Sequence, residues 1–202
     1  MIRMMARVLA FGIAAAVVLP AGYGAVHGAP VEERVEKAQI RELPELSPEP
    51  AESFLKVTPS GNVYSDEVPM SYGYQCAMQD ACRRYGVNYT IALGIAEVES
   101  RFDFEADSGL AWGIMQIAPV NYEWLLENGI DATTYSGNIE AGVFMFRQLK
   151  DKYGDTHLAL MAYNCGEAGA AELWEQGYTQ SGYSRDVMDA AGRWAFVVTK
   201  AG

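Results

Sequence analysis

Between Ile95 and Asp107 the chain reads IAEVESRFDFEAD, which places five carboxylates, Glu97, Glu99, Asp103, Glu105 and Asp107, in or just beyond an apolar, helix-like run. Such groups can transfer protons, and helical phase tells them apart. With about 100° per residue and Ile91 set at 0°, Ile95 falls near ~40°, Glu99 near ~80° and Ala96 near ~140°, while Glu97 falls near ~240°. Glu99 therefore sits in the middle of the apolar side and Glu97 opposite it, toward solvent. An ionised carboxylate among Ile, Ala and Val is costly unless paired, and burial raises its pKa, which is the setting a general acid needs near neutral pH. Spacing alone leaves a second reading open, in which Glu99 escapes at the helix end or pairs with Arg101 or Arg147. Asp103, Glu105 and Asp107 fall in a polar loop, where solvated or turn-capping roles are expected.

Other chemistries are poorly supplied. His27 lies in the N-terminal apolar run and His157 stands alone, which excludes HExxH and any multi-histidine metal site. Cys76, Cys82 and Cys165 lack CxxC spacing, so structural zinc is a poor fit. On one helix, Cys76 and Cys82 would lie about 9 Å apart along the axis, too far for a disulfide. No metal and no organic cofactor is expected. The chain carries 26 acids against 15 bases. Beyond residue 70 the balance is seventeen acids to nine bases, which argues against a nucleic-acid or anionic-lipid partner.

The elements that must position Glu99 are helices. Periodicity predicts them over 74–85, 89–101, 120–127, 139–153, 156–164, 167–175 and 184–197, with Gly86, Gly129, Gly154, Gly166 and Gly177 at the stops. Asn88 is a good N-cap for the second, although Asn88-Tyr89-Thr90 is also a sequon. Between the second and third helices, DSGLAWGIMQIAP is too glycine-rich for a helix and suits a short strand or turn.

The N-terminal part differs in kind. Residues 1–30 carry Arg3 and Arg7, a long uncharged apolar run and then small residues, the order of an export signal peptide or of an uncleaved signal anchor. Residues 31–70 hold nine acids, four bases and five of the eight prolines, which reads as an acidic linker. A solvated amphipathic helix over 31–43 is the alternative there. The folded domain is expected over 71–202, mainly α, on the outer side of a membrane.

Glu99-Ser100 at the end of an apolar helix, then GLAWGIMQIAP, Asn138-Ile139 with AGVFMFRQLKDKYGD, ALMAYNCGEAG and finally Gly182-Tyr183-Ser184-Arg185 occur in the order seen in lytic transglycosylases of the soluble (SLT) type. The resemblance covers about 87–187 and implies a lysozyme-like helical domain with at most a small β element. It also implies that Glu99 is the sole catalytic acid and base, with Ser100 beside it as an orienting neighbour. Gln116 would hydrogen-bond an N-acetyl sugar, Met115 would pack beside it, and Tyr163 and Asn164 would face the cleft. Tyr183 would approach the catalytic carboxyl. Ile114 stands where leucine is usual and Cys165 where alanine is common.

In isolation each of these residues also has a plainer role. Gln116 can satisfy buried backbone, Tyr163 and Asn164 can be core packing and a helix C-cap, and Trp112 can be a core residue or a sugar-stacking one. The activity implied is cleavage of the MurNAc–GlcNAc β-1,4 bond of peptidoglycan glycan strands, with formation of a 1,6-anhydro ring. A goose-type muramidase that hydrolyses the same bond, with a loop carboxylate positioning water, is the near rival. A catalytically silent peptidoglycan-binding module is the distant one.

Overall fold

Two buried glutamines explain how the chain enters its helical body. The computed structural model describes residues 56–57 and 61–199; the expected leader or anchor, and residues 31–55 of the expected linker, lie outside the described residues. A two-residue strand, β1 (Lys56–Val57), pairs antiparallel with β2 (Val63–Tyr64). Helix α1 (Tyr72–Tyr85) follows. From it, Gln79 accepts the N–H of Val63 (2.7 Å) and donates to the Val63 carbonyl (2.6 Å). Gln75 accepts from Ser65 N–H (3.1 Å) and donates to the carbonyls of Ser65 (2.7 Å) and Met70 (2.9 Å). With their backbone satisfied in this way, Val68 and Met70 can enter the hydrophobic core. Residues 61–70 are thus part of the folded body, which begins upstream of the expected boundary at residue 71. Composition registered the prolines and acids of this segment but not the amides waiting for it on α1.

Helix α2 (Tyr89–Ser100) is capped by Asn88, whose side chain accepts the Thr90 N–H at 2.9 Å. Its apolar side, Ala92, Leu93, Ile95 and Ala96, is buried. The helix stops because Arg101 and Phe102 both take left-handed backbone angles, φ 56° and 66°. After it comes a glycine-rich arch with single bridges pairing Asp107 with Trp112 and Trp112 with Ile117, the strand-or-turn element expected there. A 3-10 turn (Pro119–Asn121) leads into the short α3 (Tyr122–Glu127).

Helix α4 (Tyr135–Tyr153) is the hub, with residues 138–146 buried except Glu140. It starts four residues before the apolar periodicity does, because Thr134 caps the Gly137 N–H at 3.0 Å and makes a helical turn out of polar residues. Helix α5 (Thr156–Glu175) is capped by Asp155 and kinked at Gly166 (φ 70°, ψ 164°), where the sequence placed a break between two helices. Only glycine adopts that backbone conformation cheaply. Helix α6 (Gly182–Thr199) closes the fold along α2, while α1 packs on α4 and α4 on α5. The result is the mainly helical, lysozyme-like architecture expected.

The α2–α6 contact is close enough to demand glycine at position 94. A Cβ there would stand 2.5 Å from the Val187 carbonyl oxygen of α6, so the helices would have to separate. Gly94→Ala is expected to lower stability by about 1–3 kcal/mol despite alanine's better helix propensity, as urea unfolding would read.

Candidate functional site

Glu99 lies in the last turn of α2 and points to where α5 and α6 converge. Its Oε1 accepts the Tyr183 hydroxyl of α6 at 2.6 Å. The residue is half-buried, and enclosure of its carboxyl pushes the pKa up to about 7, against the lowering effect of the Tyr183 hydrogen bond. No ion pair to Glu99 exists among the described residues; Arg147 pairs with Asp151 instead. The carboxyl is thus neither fully exposed nor, among the described residues, neutralised by arginine. The phenols of Tyr163 and Tyr183 are both pushed well above the usual range, first by burial and then by the Glu99 charge.

Glu97 is elsewhere. It bonds Arg193 of α6 at 2.5 Å, on the wall of a groove of about 550 Å3 shared with Arg101, Asp186 and Asp189. Of the loop carboxylates, Asp103 and Asp107 close turns and Glu105 is exposed, in keeping with the solvated or turn-capping reading. Asp103 accepts the Glu105 N–H (2.9 Å) and Asp107 the Gly109 N–H (2.7 Å), both two-residue turns closed by the side chain.

A second wall is built from the 113–116 loop. Ser100 donates to the Ile114 carbonyl at 2.8 Å and lies 3.1 Å from that of Ala96, so its hydroxyl pins the loop to the end of α2. Tyr163 of α5 donates to the Met115 carbonyl (2.9 Å). Met115 itself is fully buried, and its side chain lies where a Cβ on Gly142 of α4 would fall. That corrects the expectation of a sugar contact from its side chain, because the loop turns Met115 inward and supports itself on it.

Gln116 takes a left-handed φ of 47° and donates both amide protons inward, to the carbonyls of Ala106 (3.0 Å) and Gly113 (2.9 Å). Its Oε1 has no hydrogen bond among the described residues, so the free end is an acceptor. Asn164, half-buried two residues before the kink, likewise has an uncommitted side chain among those residues. Trp112 stacks on Tyr135, with centroids 5.9 Å apart at 20°, which covers one face of its indole.

Asn138, read above only as part of a motif, is the keystone of the loop. Fully buried on α4, it accepts the Met115 N–H (2.9 Å) and donates to the Trp112 carbonyl (2.9 Å). A Cβ on Gly113 would stand 2.6 Å from its amide, which is why glycine is required at that position. The available signal was a polar residue just before the apolar stretch 141–146 of that helix.

Among known families, the model of the transglycosylase SLT domain matches residues 76–184, more than half of the chain. The chain belongs to that family. A transglycosylase of Enterobacteria phage PRD1 is 33% identical to this SLT chain over 88 residues, which make up 43% of it and 32% of the phage protein. Among solved structures, an inactive mutant of lytic transglycosylase Slt from Pseudomonas aeruginosa superposes with a TM-score of 0.52 at 20% identity, over 61% of this chain and 24% of that one. The SLT chain thus spans about a third or less of the length of these relatives, and the structural likeness is one of fold.

Within this SLT fold the Tyr183–Glu99 bond can be tested by titration. The phenol favours the carboxylate, so Tyr183→Phe is expected to raise the Glu99 pKa further above about 7. Carboxyl 13C NMR would follow it, and an unchanged or lower midpoint would refute the bond's role.

Proposed function

We propose that this chain is a peptidoglycan lytic transglycosylase acting on the MurNAc–GlcNAc β-1,4 bond. The observation that carries the reading is a single carboxyl, that of Glu99, enclosed so that its pKa reaches about 7 and held at 2.6 Å by Tyr183. Protonated Glu99 gives its proton to the glycosidic oxygen as the C1–O bond breaks and positive charge develops on the ring. The N-acetyl group of the same sugar supports that charge. Glu99, now a carboxylate, takes the proton of the C6 hydroxyl while O6 bonds to C1, which closes the 1,6-anhydro ring and restores the acid. No water is consumed, and the cycle as written calls for no metal or organic cofactor.

The turn-closing roles of Asp103 and Asp107 favour this route over hydrolysis. Inverting and retaining glycosidases need a second carboxylate about 5 to 9.5 Å from the first, whereas Asp103 and Asp107 here close turns in their own loop. An intramolecular hydroxyl also competes well with bulk water through its high effective concentration. The Gln116 acceptor and the Asn164 amide would bind the N-acetyl sugar, and Ser100 and Tyr163 would keep the loop in place. The substrate is polymeric cell wall, so we place the working domain outside the cytoplasm, exported or tethered by residues 1–30 and spaced by the segment that follows.

Mass analysis of muropeptides released from purified peptidoglycan tests the reading. Products ending in 1,6-anhydro-MurNAc are expected. Reducing ends would make the protein a muramidase, and no release at all would leave a binding module.

A further inference from the structure

Tyr183 reaches Glu99 from the first turn of α6, and first turns fray unless their N–H groups are capped. This one begins with Gly182, after exposed residues 177–180, so the sequence alone gives it little stiffness. Ser181 and Ser184 cap it reciprocally. The Ser184 N–H donates to Ser181 Oγ (3.1 Å) and the Ser181 N–H to Ser184 Oγ (2.9 Å).

Ser184 is fully buried, and its Oγ has two further neighbours: the Ser181 carbonyl at 3.2 Å and Nδ1 of His157, in the first turn of α5, at 3.0 Å. A hydroxyl has one proton to give and two lone pairs to offer. If the proton goes to the Ser181 carbonyl, the lone pairs accept the Ser181 N–H and an Nδ1–H of His157, and every group is satisfied. Ser184 is the residue next to Tyr183. Helix α5 therefore touches the candidate site twice, directly through Tyr163 under the 113–116 loop and indirectly through His157 under the turn that carries Tyr183.

We propose that His157 is a positioning residue: by donating its Nδ1–H to buried Ser184 it locks the first turn of α6 and so holds the Tyr183 hydroxyl on Glu99. Its importance for activity rests on the reading of Glu99 as the catalytic acid; its effect on Tyr183 does not. The ionisable groups facing Glu99 are Tyr183 of α6 and Tyr163 of α5.

The test is a carboxyl 13C titration of Glu99 alongside steady-state kinetics on purified peptidoglycan. His157→Leu removes the donor and is expected to raise the Glu99 midpoint by about half a pH unit, in the same direction as Tyr183→Phe. In the Tyr183→Phe background it should add nothing, because both changes break one bond. His157→Asn keeps an N–H close to the position of Nδ1 and should restore the wild-type midpoint, with kcat falling about fivefold in His157→Leu but not in His157→Asn, and KM unchanged in both.

If His157→Leu does not fold, Ser184→Ala removes the shared oxygen at little change in volume and carries the same expectation. An unshifted midpoint in a folded variant overturns the proposal, as does an equal shift in His157→Asn. A wild-type protein that leaves glycan uncut while the midpoint still moves in His157→Leu would overturn the catalytic reading and uphold the positioning role.

Discussion

Glu99→Gln is expected to reduce glycan cleavage by about 10²- to 10⁴-fold, the usual worth of a positioned general acid, and at the same time to make the folded protein more stable above pH 7. The two effects share one cause. The carboxyl has a folded-state pKa of about 7 against an ordinary 4.5, so between those values the folded state keeps a proton that the unfolded chain has released. Stability then falls as pH rises through that window, and above it the fold carries the full cost of an enclosed carboxylate, up to about 3 kcal/mol. Glutamine has nearly the same shape and no charge, so it escapes that cost. Urea unfolding at pH 5 and pH 8 reads the difference: the variant should gain on the wild type only at the higher pH. Equal stability changes at both pH values would mean that Glu99 is not held in an environment hostile to its charge. Full activity in the glutamine variant would remove it from the chemistry altogether. Activity loss together with that stability gain would be the trade-off seen where function needs a strained or desolvated group.

Much of this arrangement could be read from the sequence because it depends on helical phase. Glu97 and Glu99 are two residues apart, and a helix turns that separation into opposite faces, one bearing an ion pair to Arg193 and the other the Tyr183 hydroxyl. Several helix ends were legible where a glycine or a capping side chain marked them, as at Gly86, Asn88, Gly154 and the Gly166 kink, though the Thr134 cap of α4 was not. What stayed hidden were interactions between side chains and distant backbone. Nothing in the local pattern singles out Gln75 and Gln79, yet they make residues 61–70 part of the body. The burial of Met115 depends on Gly142, 27 positions later, and no local pattern announces that a glycine on one helix is the seat for a methionine from a loop. The link from His157 to Ser184 is of the same long-range kind.

Asn138 shows how much such a hidden contact can carry, and Asn138→Ala is expected to lower stability by about 3 kcal/mol. The amide is fully buried and spends one end on the Met115 N–H and the other on the Trp112 carbonyl. Alanine would leave the Met115 N–H without a partner, at about 1–3 kcal/mol, would take from the Trp112 carbonyl one of its two donors, the Ile117 N–H (2.9 Å) remaining, and would leave a void beside Gly113. Asn138→Asp separates the two ends. The carboxylate can still accept from Met115 but cannot donate to Trp112, and an enclosed charge is added. When protonated, its O–H can take the place of the lost N–H. Asn138→Asp should therefore approach wild-type stability at low pH and lose it as pH rises, while Asn138→Ala remains destabilised throughout. Urea unfolding of both variants across that range is the measurement, and a change below about 1 kcal/mol in Asn138→Ala would reject the keystone role. Because Ser100 ties the same loop to the turn that bears Glu99, the fraction of either variant that stays folded should also cleave more slowly, through a loop displaced from the acid rather than through any change in the acid itself.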